Sequence, residues 1–182
     1  MTGSEQLDRL RRELDEVDAR AAALAARVDD VTWKTRPAPN AWSPSECVQH
    51  LVLSAEAMTA RLDPAIDDAR SRGVLGDGPY RPGWIGRLLL WSLEPPYRMR
   101  AKTGAAFVAP GARSSADDIA ALRTAHDAVR TSLDRARGLA LDRLTMASPF
   151  FENARYNLYA GFATIAVHGR RHLWQAEQAV KG

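Results

Sequence analysis

The sequence predicts an all-α protein, a four-helix bundle with an irregular insertion between its second and third helices. Three observations carry this. Apolar residues recur three and four apart through four long segments. Ala, Leu and Arg, all strong helix formers, recur along the chain. No period-two alternation is long enough to require a sheet. A length of 182 residues suits one domain over 1–182 with a sizeable core.

The first helix is expected over about 5–30, with the stripe Leu7, Leu10, Leu14, Val17, Ala21, Leu24, Val28 and Val31. On its wet face Glu5 and Arg9, Asp8 and Arg12, and Glu16 and Arg20 stand as acid-before-base pairs four apart. Residues 32–42 contain Pro37, Pro39 and Asn40 and read as a loop. The second helix opens with Ser43 as cap, Pro44 at the first helical position and Glu46 closing a capping box. It runs on through Leu51, Ala55, Met58 and Leu62, is kinked or restarted at Pro64, and ends before Gly73.

Residues 73–114 form the insertion, rich in Gly and Pro, with a short helix expected over 84–93. Arg81, Arg87, Arg98, Arg100, Lys102 and Arg113 stand there against only Asp77 and Glu94, so the chain's excess charge is concentrated in it. A loop of this length serves as a lid or binding element, or else is disordered. The third helix begins at Ser114 or Ser115 and carries the stripe Ile119, Leu122, His126, Val129, Leu133 and Ala136. A loop over 146–154 follows. The fourth helix spans about 157–180 along Leu158, Phe162, Ile165, Gly169, Leu173 and Ala176.

The formal charge of +3 is small, and positive residues alternate with acids along the helices. This argues against a nucleic-acid surface. No stretch reaches the roughly 20 apolar residues of a membrane span, and the first residues lack an apolar signal core. The lone Cys47 permits no intramolecular disulfide. Together these predict a cytoplasmic protein with neither nucleic-acid nor membrane partners. Helical faces left to be covered leave room for a homodimer.

His168 and His172 are four apart on the fourth helix and leave the same face. His50 lies one turn after the capping box, between Cys47 and Ser54 on the seam of the second helix. If the two apolar faces meet, three imidazoles converge. Neutral imidazole is a good ligand for Zn, Ni, Cu and Fe, and three protein ligands leave a position open for water or substrate. The plainer reading is a pair of half-buried histidines bonded to backbone or water.

Neighbouring residues carry the same double reading. Glu46 can act as a general base near His50, or only complete the capping box. Cys47 can be a fourth ligand or a small buried hydrophobe. Gln175 can orient a water at the metal or hold a bundle hydrogen bond. His126 sits on an apolar stripe and reads as a core residue. Arg170 and Arg171 are read as facing outward. Trp33, Trp42 and Trp174 are read as packing the bundle end nearest the site, with an apolar wall for substrate as the other option. Arg98, Arg100 and Lys102 alternate, so an extended segment would aim all three at an anionic substrate or cofactor; a solvated loop is the alternative.

The segment Thr32-Trp33 through Trp42-Ser43-Pro44-Ser45-Glu46-Cys47-Val48-Gln49-His50-Leu51 resembles the first signature of the DinB/YfiT-like superfamily, a Trp-Ser segment opening a helix that bears a histidine. Ile165-Ala166-Val167-His168-Gly169-Arg170-Arg171-His172-Leu173-Trp174-Gln175-Ala176 resembles the second, a late helix with two histidines four apart and a following Gln. The Ser148-Pro149 segment before it also fits. The resemblance implies a four-helix bundle with a divalent metal on His50, His168 and His172: Zn or Ni first, Fe or Mn after them. It also implies a metal-dependent enzyme of the thiol S-transferase or hydrolase type acting on a small-molecule substrate, since some relatives are transferases or isomerases using a low-molecular-weight thiol such as bacillithiol or mycothiol. The alternative is a non-catalytic bundle that binds a small molecule or protein and has a vacant site. The 73–114 insertion departs from the family pattern, so substrate specificity does not carry over.

Overall fold

A computed structural model describes residues 1–95, 103–151 and 153–181. Four long helices make the bundle: α1 (Gly3–Ala25), α3 (Pro44–Ser71), α5 (Ser115–Arg135) and α6 (Leu158–Ala179). Each of α1 and α3 packs against both α5 and α6, so the four close a ring around a continuous apolar core. Two shorter helices are added, α2 (Asp30–Lys34) and α4 (Gly83–Leu93), with a two-stranded hairpin of β1 (Thr145–Ala147) and β2 (Arg155–Asn157). No helix among the described residues is long and apolar enough to cross a membrane.

The expected stripe of α1 is buried from Leu7 to Leu24 and then stops. Val28 still packs, partly buried, against the core, but Asp29 accepts the Thr32 amide at 2.7 Å and starts a new helix, which ends the run before Val31. Val31 is 74% exposed, and Trp33 is the residue buried instead. The wet-face pairs also differ from those expected. Glu5 closes a capping box on Thr2, Asp8 pairs with Arg137, Arg9 with Glu13, and Arg20 reaches Glu177 on α6.

In α3 the capping box of Ser43 and Glu46 forms as expected. Pro64 lies inside the helix without ending it. The loop after α5 is partly a hairpin. Tyr156 opposite Met146 gives it a buried cross-strand pair, and Ser148 turns it by accepting the amides of Phe150 and Phe151.

The described part of the insertion is tied down at both ends. The Gln6 amide clamps Tyr80, donating to its carbonyl at 3.0 Å and accepting its N–H at 2.6 Å. Between the ends α4 rests on α6. A Cβ on Gly86 would stand 2.6 Å from the Ala160 methyl, so glycine is what allows the two helices to approach this closely. At the far end the Gly111 amide donates to Gln49 of α3.

Asp118, fully buried at the start of α5, joins three elements. Its Oδ2 accepts the Trp33 indole of α2 at 2.9 Å and the Ser45 hydroxyl of α3 at 2.6 Å. Asp118→Ala strands both donors in the core. The expected loss is about 1–3 kcal/mol in urea unfolding, and a change below about 0.5 kcal/mol would show that this junction does not hold the bundle end.

Candidate metal centre

α3 and α6 face each other in the ring, and this brings the three predicted histidines together. His50 comes from the second turn of α3; His168 and His172 come from one face of α6. Their ring centroids are 4.9 Å (His50–His168), 4.5 Å (His50–His172) and 4.5 Å (His168–His172) apart. One ligand nitrogen from each lies within 4.8 Å of the others.

Two of the rings have defined hydrogen-bond roles. His50 Nδ1 donates to the Phe107 carbonyl at 2.8 Å, and His172 Nδ1 donates to Gln175 Oε1 at 3.1 Å. Each bond places the ring proton on Nδ1 and leaves the Nε2 lone pair for the cluster. Burial is the main force pushing the His50 pKa down, against the Phe107 carbonyl, which raises it. Burial, then the His50 and Arg171 charges, take His168 down to about 3. His172 is driven well below its ordinary value by burial and then by His168, His50 and Arg171. All three rings are therefore neutral at physiological pH, which is the form that binds metals.

The donor set fits a divalent ion. His50 Nε2 and His168 Nε2 stand 3.2 Å apart, close to the separation of about 3.3 Å between two nitrogens at corners of a tetrahedron with metal–nitrogen bonds of about 2.0–2.1 Å. No carboxylate or thiolate joins the three nitrogens among the described residues. Such a neutral all-imidazole set suits Zn and Ni better than Mg or Mn.

Aromatic rings enclose the cluster. Trp42 stacks on His172, with centroids 5.6 Å apart, and meets His50 edge-on at 5.0 Å. Phe150, positioned by the Ser148 turn, lies 6.0 Å from His168 and 5.0 Å from Phe107. On one side His172 borders a cavity of about 630 Å³, together with Arg171, Trp42, Trp174 and Gln175. Trp42 and Trp174 are thus walls of the cavity, whereas Trp33 is a core residue tied to Asp118.

The remaining candidates separate by geometry. Glu46 bonds the Ser43 amide at 2.9 Å and the Arg36 guanidinium, and its carboxylate stands outside the histidine group. Burial pushes its pKa up, but Arg36 and the Ser43 amide outweigh this and hold it below the usual carboxylate range. Cys47 is fully buried, burial raises its thiol above the ordinary value, and its sulfur does not join the three histidines in the ligand group. His126 bonds Asp18 at 2.6 Å, and Asp18 is also paired with Arg130, so this histidine is a satisfied link between α5 and α1. Arg98, Arg100 and Lys102 lie outside the described residues.

Two features of the site differ from, or escape, the sequence reading. Arg170 and Arg171 do not face outward. Arg170 is paired with Glu13 and Glu94, and Arg171 is buried on the cavity wall. Phe107 acts through its carbonyl, a group every residue carries, so side-chain chemistry could not mark it. Arg171 had a signal: at three residues after His168 it lies near the face that bears the histidines.

Neither a curated protein nor a solved structure matches the chain. The model of the DinB superfamily does, over residues 13–176. That span contains both histidine-bearing helices and all three ligand candidates, and the chain belongs to the DinB superfamily.

Proposed function

We propose that the protein is a metal-dependent enzyme of the thiol S-transferase or hydrolase type, with His50, His168 and His172 holding one divalent ion, Zn or Ni. One observation carries the reading: three neutral imidazoles from two helices converge beside an open cavity large enough for a small molecule.

A divalent ion at this position supplies Lewis acidity that favours ionisation of a thiol or water entering the cavity. The chain's own groups do the rest. The Phe107 carbonyl and the Gln175 amide hold two of the rings in the tautomer and orientation that present Nε2. Trp42 excludes water from one side of His50 and His172, and Phe150 from one side of His168. Gln175 is a positioning residue in this account. Glu46 has a structural role, since its carboxylate is occupied by Arg36 and Ser43.

Untagged protein should carry close to one Zn or Ni per chain by mass spectrometry, and His168→Ala should lose it. Sub-stoichiometric metal in both, with no uptake on adding Zn or Ni, would refute the metal site and favour a non-catalytic binding bundle. Gln175→Leu should weaken metal binding about 10–100-fold in competition with a chelator, with Gln175→Glu closer to wild type. Unchanged affinity in Gln175→Leu would remove Gln175 from the positioning role.

A further inference from the structure

One histidine of the cluster is held differently from the other two. His50 Nδ1 is fixed by the Phe107 carbonyl and His172 Nδ1 by Gln175. His168 hydrogen-bonds, among the described residues, only through Nε2, which meets His50 Nε2 at 3.2 Å. Its Nδ1 is the nitrogen it can offer elsewhere. A second, internal cavity of about 10 Å³ lies beside this ring, one layer deeper in the bundle. Four polar residues border it: His168 and Thr164 of α6, Ser54 of α3 and His126 of α5. The remaining walls are apolar. Ser54 stands one turn after His50 and Thr164 one turn before His168, on the faces that carry the histidines. Ser54 is only 4% exposed, and its hydroxyl has no hydrogen-bond partner among the described residues. A hydroxyl buried in this way is costly unless something satisfies it.

We propose that this cavity holds one water molecule, and that Ser54 acts through it as a positioning residue for His168. The cavity is of single-water size, for which about 10–15 Å³ is required. The hydrogen bonds balance. Ser54 Oγ–H and, when its Nε2 faces the metal, His168 Nδ1–H donate to the water. The water donates to His126 Nε2, which is left as an acceptor when Asp18 takes the Nδ1 proton of the neutral ring. Its second proton goes to Thr164 Oγ1, whose own proton is given to the Ala160 carbonyl at 2.7 Å. Four partners satisfy a buried water fully. No acidic side chain borders the cavity among the described residues, which disfavours a cation there. The water does for His168 what the Phe107 carbonyl does for His50. The water site stands on the cavity and the Ser54 hydroxyl, whereas its role toward the metal rests on the reading of the three histidines as ligands.

A crystal structure of the chelator-treated protein should show one water within about 3.2 Å of Ser54 Oγ and of His168 Nδ1. A cavity without it would overturn the proposal. In zinc-loaded protein with isotope-labelled histidine, the Nδ1 proton of His168 should give a nuclear Overhauser effect to that water. Ser54→Val puts methyl groups in the water's place. It should abolish the effect and weaken zinc binding about tenfold in competition with a chelator, at unchanged stoichiometry. If Ser54→Val does not fold, Thr164→Val decides, since it keeps the side-chain shape and removes one acceptor. It should weaken zinc binding in the same direction, with Thr164→Ser close to wild type. Unchanged zinc affinity in the folded valine variant, or an equal loss in Thr164→Ser, would overturn the positioning role. Absent zinc uptake by wild type, with the water in the crystal, would refute the metal reading and the positioning role with it while sustaining the water site.

Discussion

Three imidazoles share a space between α3 and α6 in which their centroids lie 4.5 to 4.9 Å apart. They can do so only while neutral, because each protonated ring would repel the other two and would lose hydration without an acid in the group. Much of the site follows from this constraint. The hydrogen bonds from His50 to Phe107 and from His172 to Gln175 direct the lone pairs inward and spend the ring protons on oxygen acceptors. Trp42 and Phe150 cover ring faces that water would otherwise solvate. The resulting arrangement is a set of inward-facing donors, which a divalent ion satisfies.

Holding such a cluster requires a frame that does not relax, and the frame is built from close approaches and buried ties. Gly169, next to His168, brings α6 onto α1, where an added Cβ would meet the Val17 side chain at 2.9 Å. Gly86 does the same for α4 on the outer side of α6. Asp118 gathers α2, the start of α3 and the start of α5 at the end of the bundle from which His50 projects. The described parts of the insertion, tied through Tyr80 to α1 and through Gly111 to α3, include Phe107, whose carbonyl meets His50.

The helices were legible in the sequence because their signals are local. The Ser43–Glu46 box, the Leu7–Leu24 stripe and the Ser114 cap each act within one or two turns. The histidine pair was legible for the same reason, being four residues apart on one helix, and His50 became a partner through its seam position and the paired family signatures. What the sequence hid depends on distant partners. Val31 continues the apolar period yet is exposed, because Asp29 restarts the helix in another direction. The hairpin has three residues per strand, too few for a period to register. Arg171 looked like a solvated cation and proved to be a cavity wall, since the covering element, α4, comes from a part of the chain with no local relation to it.

The central claim is that these three rings, and no sulfur, are the protein's metal ligands. X-ray absorption at the zinc edge of the loaded protein tests it most directly. The account predicts an imidazole signature from three histidines, with nitrogen scatterers at about 2.0–2.1 Å. A sulfur shell at about 2.3 Å, which would implicate Cys47, or a spectrum lacking imidazole scattering, would contradict it.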